Sequence, residues 1–590
     1  MELMIVYRFL RKVSDWTMSG FYSEVCITGG ENVPRDGPVI IAATHHNEII
    51  DIAALSATMP YRRRVCYWAK SSLFKNPISG AMLTSSGSIP VHRNPNSSSS
   101  SNSNGSQADL FRHTSAALAA GEVVGVFPEG TSYTEPGIVQ VKDGAAWAAV
   151  EYAKAVTLSG KEGKELVIVP AAVVYTDKSK YQSRVCVRYG KPIALGKYAA
   201  RLDPESAEST RVVVKEITAA IESQLKRLTV NAPDWETLRA ARAAMAVFWK
   251  NEDRIPLHRF VDISQMFVNV FSSRSEEMEK RKAIVNRHLA LLHFTGTSHS
   301  ALEDLYPFVN HYEDFPMRSL LWPSRIRATV TLLLQLCTTV FHPRALLFFP
   351  VFVVHLPGYI TGSFAAWMLT IPNEEETKAQ FKAIFGGLGF ALSYGLLTRA
   401  CVKFAVKVTD PVLSPIRKEG LDDFINKVLR LSALCDCLAG RQGSLKSALG
   451  TFAMAVGMCW SLWKWHNALV YANYRQWKRF LTAYRVFTGL LLPPSFDLPA
   501  DQLPTYSTLP LPAENPYIKR YAVEDPPRSS ALVGEAALAV TQFSVRNADN
   551  AGPGAQGPLI HKRQLIRHLF SARYEACRAF IQSSDGQTPG

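Results

Sequence analysis

Short apolar runs rich in β-branched residues alternate with amphipathic ones through roughly the first 230 positions. Pro38-Val39-Ile40-Ile41-Ala42-Ala43, Val123-Val124-Gly125-Val126-Phe127 and Leu166-Val167-Ile168-Val169 read as buried strands, the last ended by Pro170, which removes a backbone donor. Between them, Leu110–Ala120 and Ala145–Lys154 read as helices. Asp203-Pro204-Glu205 opens a longer helix whose face is Val213, Ile217, Ala220, Ile221, Leu225 and Leu228. Residues 3–28 have Val6, Phe9, Leu10, Val13 and Trp16 near helical spacing, which predicts an amphipathic membrane-proximal helix. Asn94–Gln107 is almost all Asn and Ser and reads as a flexible insertion.

Beyond residue 230 the pattern changes. Trp235–Trp249 and Ser275–Leu292 carry mixed charge and apolar stripes, the signature of helices packing on the preceding core. Further on the chain turns apolar: no Lys, Arg, Asp or Glu occurs between Arg344 and Glu374. That exceeds the ~20 residues a helix needs to span a bilayer. Pro350 and Pro357 inside it predict a kink or a re-entrant hairpin. Ile384–Thr398 is a second uncharged run, shorter and glycine-rich; Ala328–Phe341 and Ala448–Leu462 are weaker ones. Two spans, returning the chain to the same side, fit this pattern best. The resulting division is 1–35, a membrane-proximal helix; 36–230, an α/β domain; 231–325, a helical extension; 326–403, a membrane hairpin; 404–480, an aromatic-rich helical region; and 481–590, a Pro-rich and partly flexible end.

The formal charge of +15 suits an anionic membrane or acidic ligands. It suits nucleic acid as well, but no recognisable nucleic-acid reader accompanies it. Nine scattered cysteines without a C-x-x-C argue against a disulfide framework and a zinc site, and for a reducing compartment. The N-terminus is too interrupted by Arg8, Arg11 and Lys12 for a secretory signal.

The chemistry sits at strand ends. His46-Asn47-Glu48-Ile49-Ile50-Asp51 reads H-x-x-x-x-D directly after the first strand. A neutral imidazole is suited to deprotonate an attacking hydroxyl, and a carboxylate on its far nitrogen fixes the tautomer. His46 and Asp51 are the pair with that spacing; His45 reads as a neighbour that packs against or tunes them. The bland alternative is a turn histidine with Asp51 as a helix cap. Phe127-Pro128-Glu129-Gly130-Thr131-Ser132 follows the second strand. Gly130 allows close approach or φ > 0, Thr131 and Ser132 offer donors to a phosphate, and Glu129 serves either a substrate hydroxyl or the loop itself. Arg93, in Gly87-Ser88-Ile89-Pro90-Val91-His92-Arg93, is a guanidinium suited to bidentate phosphate binding.

These motifs, in this order over residues 38–175, resemble those of the glycerolipid acyltransferases. The resemblance implies a sheet core with surrounding helices, His46 as general base, Asp51 as its partner, and no metal or cofactor beyond acyl-CoA as co-substrate. It implies that Gly87, Arg93 and Lys70 lie near the phosphate of the acyl acceptor, and that the Pro170 segment lines the acyl-chain or acyl-CoA pocket. The large extension with a late apolar pair is similar to the fungal-type glycerol-3-phosphate and dihydroxyacetone-phosphate acyltransferases of the endoplasmic reticulum. One departure is clear: Thr131-Ser132 stands where many relatives have Thr-Arg-Ser. The expectation is a membrane-bound enzyme acylating the first carbon of glycerol 3-phosphate or dihydroxyacetone phosphate, its catalytic domain on the cytosolic side. A lysophospholipid acceptor and an inactive membrane scaffold are the alternatives.

Overall fold

A computed structural model describes residues 5–91, 103–159, 165–202, 206–250, 252–307, 323–371, 374–416, 445–512, 515, 518 and 562–584. Arg93, most of the Asn/Ser insertion, most of 513–527 and the 547–557 segment lie outside the described residues. Eight strands form one sheet: β1 (Glu24–Thr28), β2 (Val39–Ala43), β3 (Val65–Lys70), β4 (Ile89–Val91), β5 (Val123–Val126), β6 (Val167–Tyr175), β7 (Arg184–Tyr189) and β8 (Ile193–Ala194). Their order is β1-β7-β6-β2-β5-β3-β4, with β8 beside β6. The strands from β6 through β4 run parallel, whereas β7 and β8 pair antiparallel with β6.

Sixteen helices accompany the sheet among the described residues: α1 (Ile5–Phe21), α2 (Ile49–Thr58), α3 (Pro77–Ser86), α4 (Ser103–Ala119), α5 (Gly144–Ser159), α6 (Gly196–Ala199), α7 (Ala207–Leu228), α8 (Trp235–Trp249), α9 (Phe260–Phe271), α10 (Glu276–Thr295), α11 (His299–Leu305), α12 (Arg325–Phe341), α13 (Pro343–Leu369), α14 (Lys378–Ile416), α15 (Leu445–Leu491) and α16 (Ile566–Ser584). Both faces of the sheet are covered, which explains the unbroken apolar strands. Ile40 and Ala42 join Val124, Val126 and Ile168 in packing on α5 and α7. Val39, Ile41 and Ala43 join Val169 and Ala171 in packing on α1 and α2. Each isoleucine fully buried in this way contributes about 1.5–3 kcal/mol.

Three expectations change. The helix predicted over 3–28 stops at Phe21, and Glu24–Thr28 pairs with β7 instead; β-branched Val25, Ile27 and Thr28 fit a strand. Ser103–Gln107, predicted as part of a flexible insertion, begins α4. Pro170 does not end its strand. The β8 ladder covers Val167 and Ile168 and the β7 ladder begins at Ala171, so the missing donor falls in the gap between them.

The helical extension docks on the sheet through Val261, which packs against Ala172 and Val174. α16 packs against α10 and α15, and its Arg573 forms a buried ion pair with Glu303 at 2.5 Å. α13 and α14 are long and apolar enough to cross a membrane. Only 22% and 11% of their most apolar windows are buried, whereas the core helix of a soluble domain is mostly buried. Pro350 and Pro357 lie inside α13, which continues through them. The two helices touch backbone to backbone. A Cβ on Gly358 would lie 2.8 Å from the carbonyl oxygen of Gly386, and one on Gly389 would lie 2.7 Å from Gly358 Cα. Small residues bring apolar helices together in this way when lipid offers no hydrophobic driving force.

Candidate active site

Strands β6, β2, β5 and β3 are parallel neighbours, so their carboxyl ends share one edge of the sheet. There β2 delivers His45 and His46, β5 delivers Phe127–Gly130, β3 delivers Lys70 and β6 runs on to Lys178. Loops at such an edge are the usual place for ligand chemistry in α/β sheets.

The Asp51 carboxylate is fully buried in the first turn of α2. Its Oδ2 lies 3.1 Å from Nδ1 of His45 and accepts from the backbone N–H of Asn47 at 2.6 Å. Its Oδ1 accepts from the Tyr175 hydroxyl at 2.7 Å. Burial, with Asp51 beside it, holds the Tyr175 phenol well above its usual value, so it remains a donor. An ionised carboxylate only accepts, which places the His45 proton on Nδ1 and leaves Nε2 with its lone pair. The ring stacks on Phe127, with centroids 4.2 Å apart, and lines the central cavity.

His46 faces elsewhere. Its Nε2 is 3.4 Å from Oε2 of Glu129, an ion-pair distance without hydrogen-bond alignment. The His45 backbone N–H donates to Oε1 of the same carboxylate at 2.7 Å. Burial disfavours charge on both groups, but their mutual attraction prevails: His46 is raised above its usual value and Glu129 lowered below its own. Glu129 thus ties the histidine turn to the Pro-Glu-Gly turn. The expected His46–Asp51 pairing is corrected here. The Asn47 amide folds back onto Asp51, and this turns His45, one residue earlier than His46, toward the carboxylate.

Beneath the turn lies Lys178, whose Nζ donates to the His46 carbonyl at 3.1 Å and to the Thr134 hydroxyl. Burial lowers its pKa, opposed by Glu376 and Glu375. The Pro-Glu-Gly turn closes with Gly130 N–H donating to Phe127 O at 3.0 Å, and Gly130 has φ +80°. The segment 140–142 buttresses it: Gln140 Nε2 donates to Glu129 O and Lys142 N to Pro128 O. A Cβ on Gly130 would lie 2.6 Å from Lys142 Nζ, so this ammonium sits directly over the turn.

One cavity of about 3810 Å³ joins these parts. That is several times the ~300–1,000 Å³ of ordinary small-ligand sites. His45, Lys70, Gly130, Thr131, Ser132 and Lys142 line its polar end. Its apolar remainder runs between α1, α13, α14 and α15, past Phe9, Val13, Phe352, Phe390, Trp460 and Trp463.

Of the residues singled out from the sequence, Asp51, Lys70, Gly130, Thr131 and Ser132 gather at this edge. His46 and Asp51 sit behind the cavity wall, and Glu129, Gly87 and Pro170 do not line the cavity either. Glu129 is fully buried and orders the loop. Gly87 caps α3 at φ +85°, where a Cβ would collide with Arg64. Pro170 is buried mid-strand, its carbonyl accepting from Gly190 N–H. Tyr175, Lys178 and Lys142 were not anticipated; they lie outside the motif segments, and no local motif marks them.

Residues 24–174 match the family model of acyltransferases. Over 155 residues the chain is 29% identical to glycerol-3-phosphate O-acyltransferase 2 of Saccharomyces cerevisiae, covering 26% of this chain and 20% of that protein. It is 25% identical over 194 residues to glycerol-3-phosphate O-acyltransferase 1 of the same yeast, covering 32% of this chain and 24% of that one. Over 120 residues it is 34% identical to the 1-acyl-sn-glycerol-3-phosphate acyltransferase of Bacillus subtilis, covering 20% of this chain and 53% of that protein. The similarity therefore spans from about a fifth to about half of these relatives' own lengths. The span matched by the family model includes both histidines, Asp51 and the Pro-Glu-Gly turn.

Proposed function

We propose that this chain, which carries an acyltransferase domain of the glycerolipid type, is a membrane-bound, acyl-CoA-dependent O-acyltransferase whose acceptor is glycerol 3-phosphate or dihydroxyacetone phosphate. The observation that carries the reading is the His45–Asp51 pair opening on a cavity with lysines at one end and a long apolar passage at the other. As the acceptor hydroxyl attacks the thioester carbonyl, its proton passes to Nε2 of His45. The tetrahedral intermediate collapses, the C–S bond breaks, and the imidazolium returns the proton to the leaving thiolate. The products are an ester and free CoA. Asp51 stabilises the imidazolium while it exists, and Tyr175 and Asn47 hold Asp51 in place.

Lys142, Lys70, the Gly130–Ser132 turn and Arg93 are the candidate ligands of the acceptor phosphate. Lys142 supplies over Gly130 the positive charge that an arginine after Thr131 provides in many relatives. The apolar passage suits the acyl chain of the donor. The uncovered apolar surfaces of α13 and α14 support a place in a membrane, with the endoplasmic reticulum and a cytosolic catalytic face as the proposed setting. A second reading keeps the chemistry and takes a lysophosphatidic acid as acceptor, favoured by the likeness to the Bacillus subtilis protein.

The test is acyl-CoA-dependent product formation in isolated membranes, with glycerol 3-phosphate, dihydroxyacetone phosphate and lysophosphatidic acid compared side by side. Reaction with either of the first two supports the proposal. Reaction with lysophosphatidic acid alone replaces the acceptor. No reaction with any of them favours an inactive scaffold.

A further inference from the structure

Glu48 is the residue between the histidines and α2, and its backbone is at φ 44°, ψ −120°. Glycine takes this conformation freely; a side chain resists it, so neighbouring contacts must hold it. Two contacts do so. Ser132 Oγ reaches Oε1 of Glu48 at 3.5 Å, the long end of a hydrogen bond. Gln380 Nε2 donates to Oε2 of Glu48 from the first turn of α14.

Gln380 is buried, and its surroundings are docked rather than loose. Ala379, fully buried, packs in the core that contains Ile50 and Ala53 of α2. Lys382 Nζ, a half-turn on, donates to the Ser179 carbonyl at 2.9 Å. The start of α14 therefore closes over two loops of the active-site edge, the histidine turn and the segment after β6, and Glu48 links it to Ser132 beyond the Pro-Glu-Gly turn.

We infer that the second hairpin helix is a working part of the active site, in which Gln380 is a positioning residue that holds Glu48 in its strained conformation and so sets the His45–Asp51 turn. Released from Gln380, Glu48 relaxes toward negative φ and the adjoining residues 45–47 turn with it. The inference rests on His45 as the reacting base, but the clamp itself has a readout that does not need activity.

Gln380→Ala in the full-length protein in membranes is expected to lower kcat about 10- to 100-fold, the scale of a misplaced catalytic group, with acceptor KM little changed. Amide hydrogen exchange over residues 44–52 is expected to rise. Glu48→Gly in the same background removes the strain, and kcat and protection are expected to return most of the way. If Gln380→Ala fails to accumulate, Gln380→Glu keeps the shape and sets two carboxylates together. It is expected to lose kcat, and the exchange pair Glu48→Gln with Gln380→Glu to recover it. Unchanged exchange and kcat in Gln380→Ala, or no recovery in either double variant, overturns the inference. A wild-type protein that acylates nothing, yet loses protection over 44–52 on Gln380→Ala, upholds the clamp and sinks the functional reading instead.

Discussion

The Asp51 carboxylate touches Nδ1 of His45 at 3.1 Å while a second hydrogen bond, from the Tyr175 hydroxyl, fixes its other oxygen. Such a pair sets which imidazole nitrogen is free to take a proton. Asp51→Asn preserves the shape but presents an amide to Nδ1, so the tautomer is no longer enforced. We expect kcat to fall ~10²–10⁴-fold with the protein still in the membrane. Tyr175→Phe removes one hydrogen bond, worth about 0.5–1.5 kcal/mol, so its loss of kcat should be about two- to tenfold. Steady-state kinetics of both variants check this; an equal loss from each would mean that Tyr175 does more than hold Asp51.

Lys142 tests the phosphate end of the cavity. Its ammonium lies over Gly130 of the Pro-Glu-Gly turn. Lys142→Ala is expected to raise KM for a phosphorylated acceptor about tenfold or more while leaving kcat within a few-fold, the pattern of lost uniform binding. Lys142→Arg should retain most of the affinity. A fall in kcat at constant KM would move Lys142 into the chemistry and contradict its placement.

The Glu129–His46 pair makes a pH prediction for stability. His46 is raised above 6.5 because Glu129 outweighs burial, so its contribution is complete below pH 6.5 and fades as pH climbs through the raised value. Glu129 is lowered below 4.5, so its contribution is complete above pH 4.5 and fades as pH drops through the lowered value. Between these two limits the pair contributes fully. In thermal unfolding of the solubilised protein, His46→Gln should flatten the alkaline limb of Tm against pH, and Glu129→Gln the acid limb. Profiles parallel to wild type in both variants would show that the pair does not stabilise the fold.

The hairpin depends on close backbone approach. A Cβ on Gly358 would lie 2.1 Å from the Phe390 ring and 2.8 Å from the Gly386 carbonyl oxygen, so Gly358→Leu forces α13 and α14 apart. Overpacking of this kind costs at least about 1–3 kcal/mol. The variant should melt several degrees lower in detergent. Gly395→Leu, where nothing lies within 4 Å, should melt like wild type.

The strands, the apolar hairpin and the two motif turns were legible because each is written locally. Ile40 and Ile41, Val123 and Val124, and the uncharged run after Arg344 announce buried strands and a helix by composition alone. The pairing of the histidines was not legible in the same way. Spacing along the chain pointed Asp51 at His46, but a turn is not a helix, and the Asn47 N–H bond to Asp51 decides which ring faces the carboxylate. Pro170 misled for a related reason: whether a missing donor matters depends on which neighbour the strand has at that point, and that is set by β7 and β8, further along the chain. Lys142, Tyr175 and Gln380 come from separate elements and share no spacing with the motifs they serve. Only the assembled sheet and hairpin bring them together.

The assignment of the base is tested most directly by acyl transfer to glycerol 3-phosphate in membranes carrying His45→Ala or His46→Ala at matched protein levels. The geometry predicts a loss of ~10²–10⁴-fold in kcat for His45→Ala and a loss of no more than about tenfold for His46→Ala, which acts through Glu129 and the loop. The reverse order, with His46→Ala inactive and His45→Ala retaining turnover, would contradict it and return the base to His46.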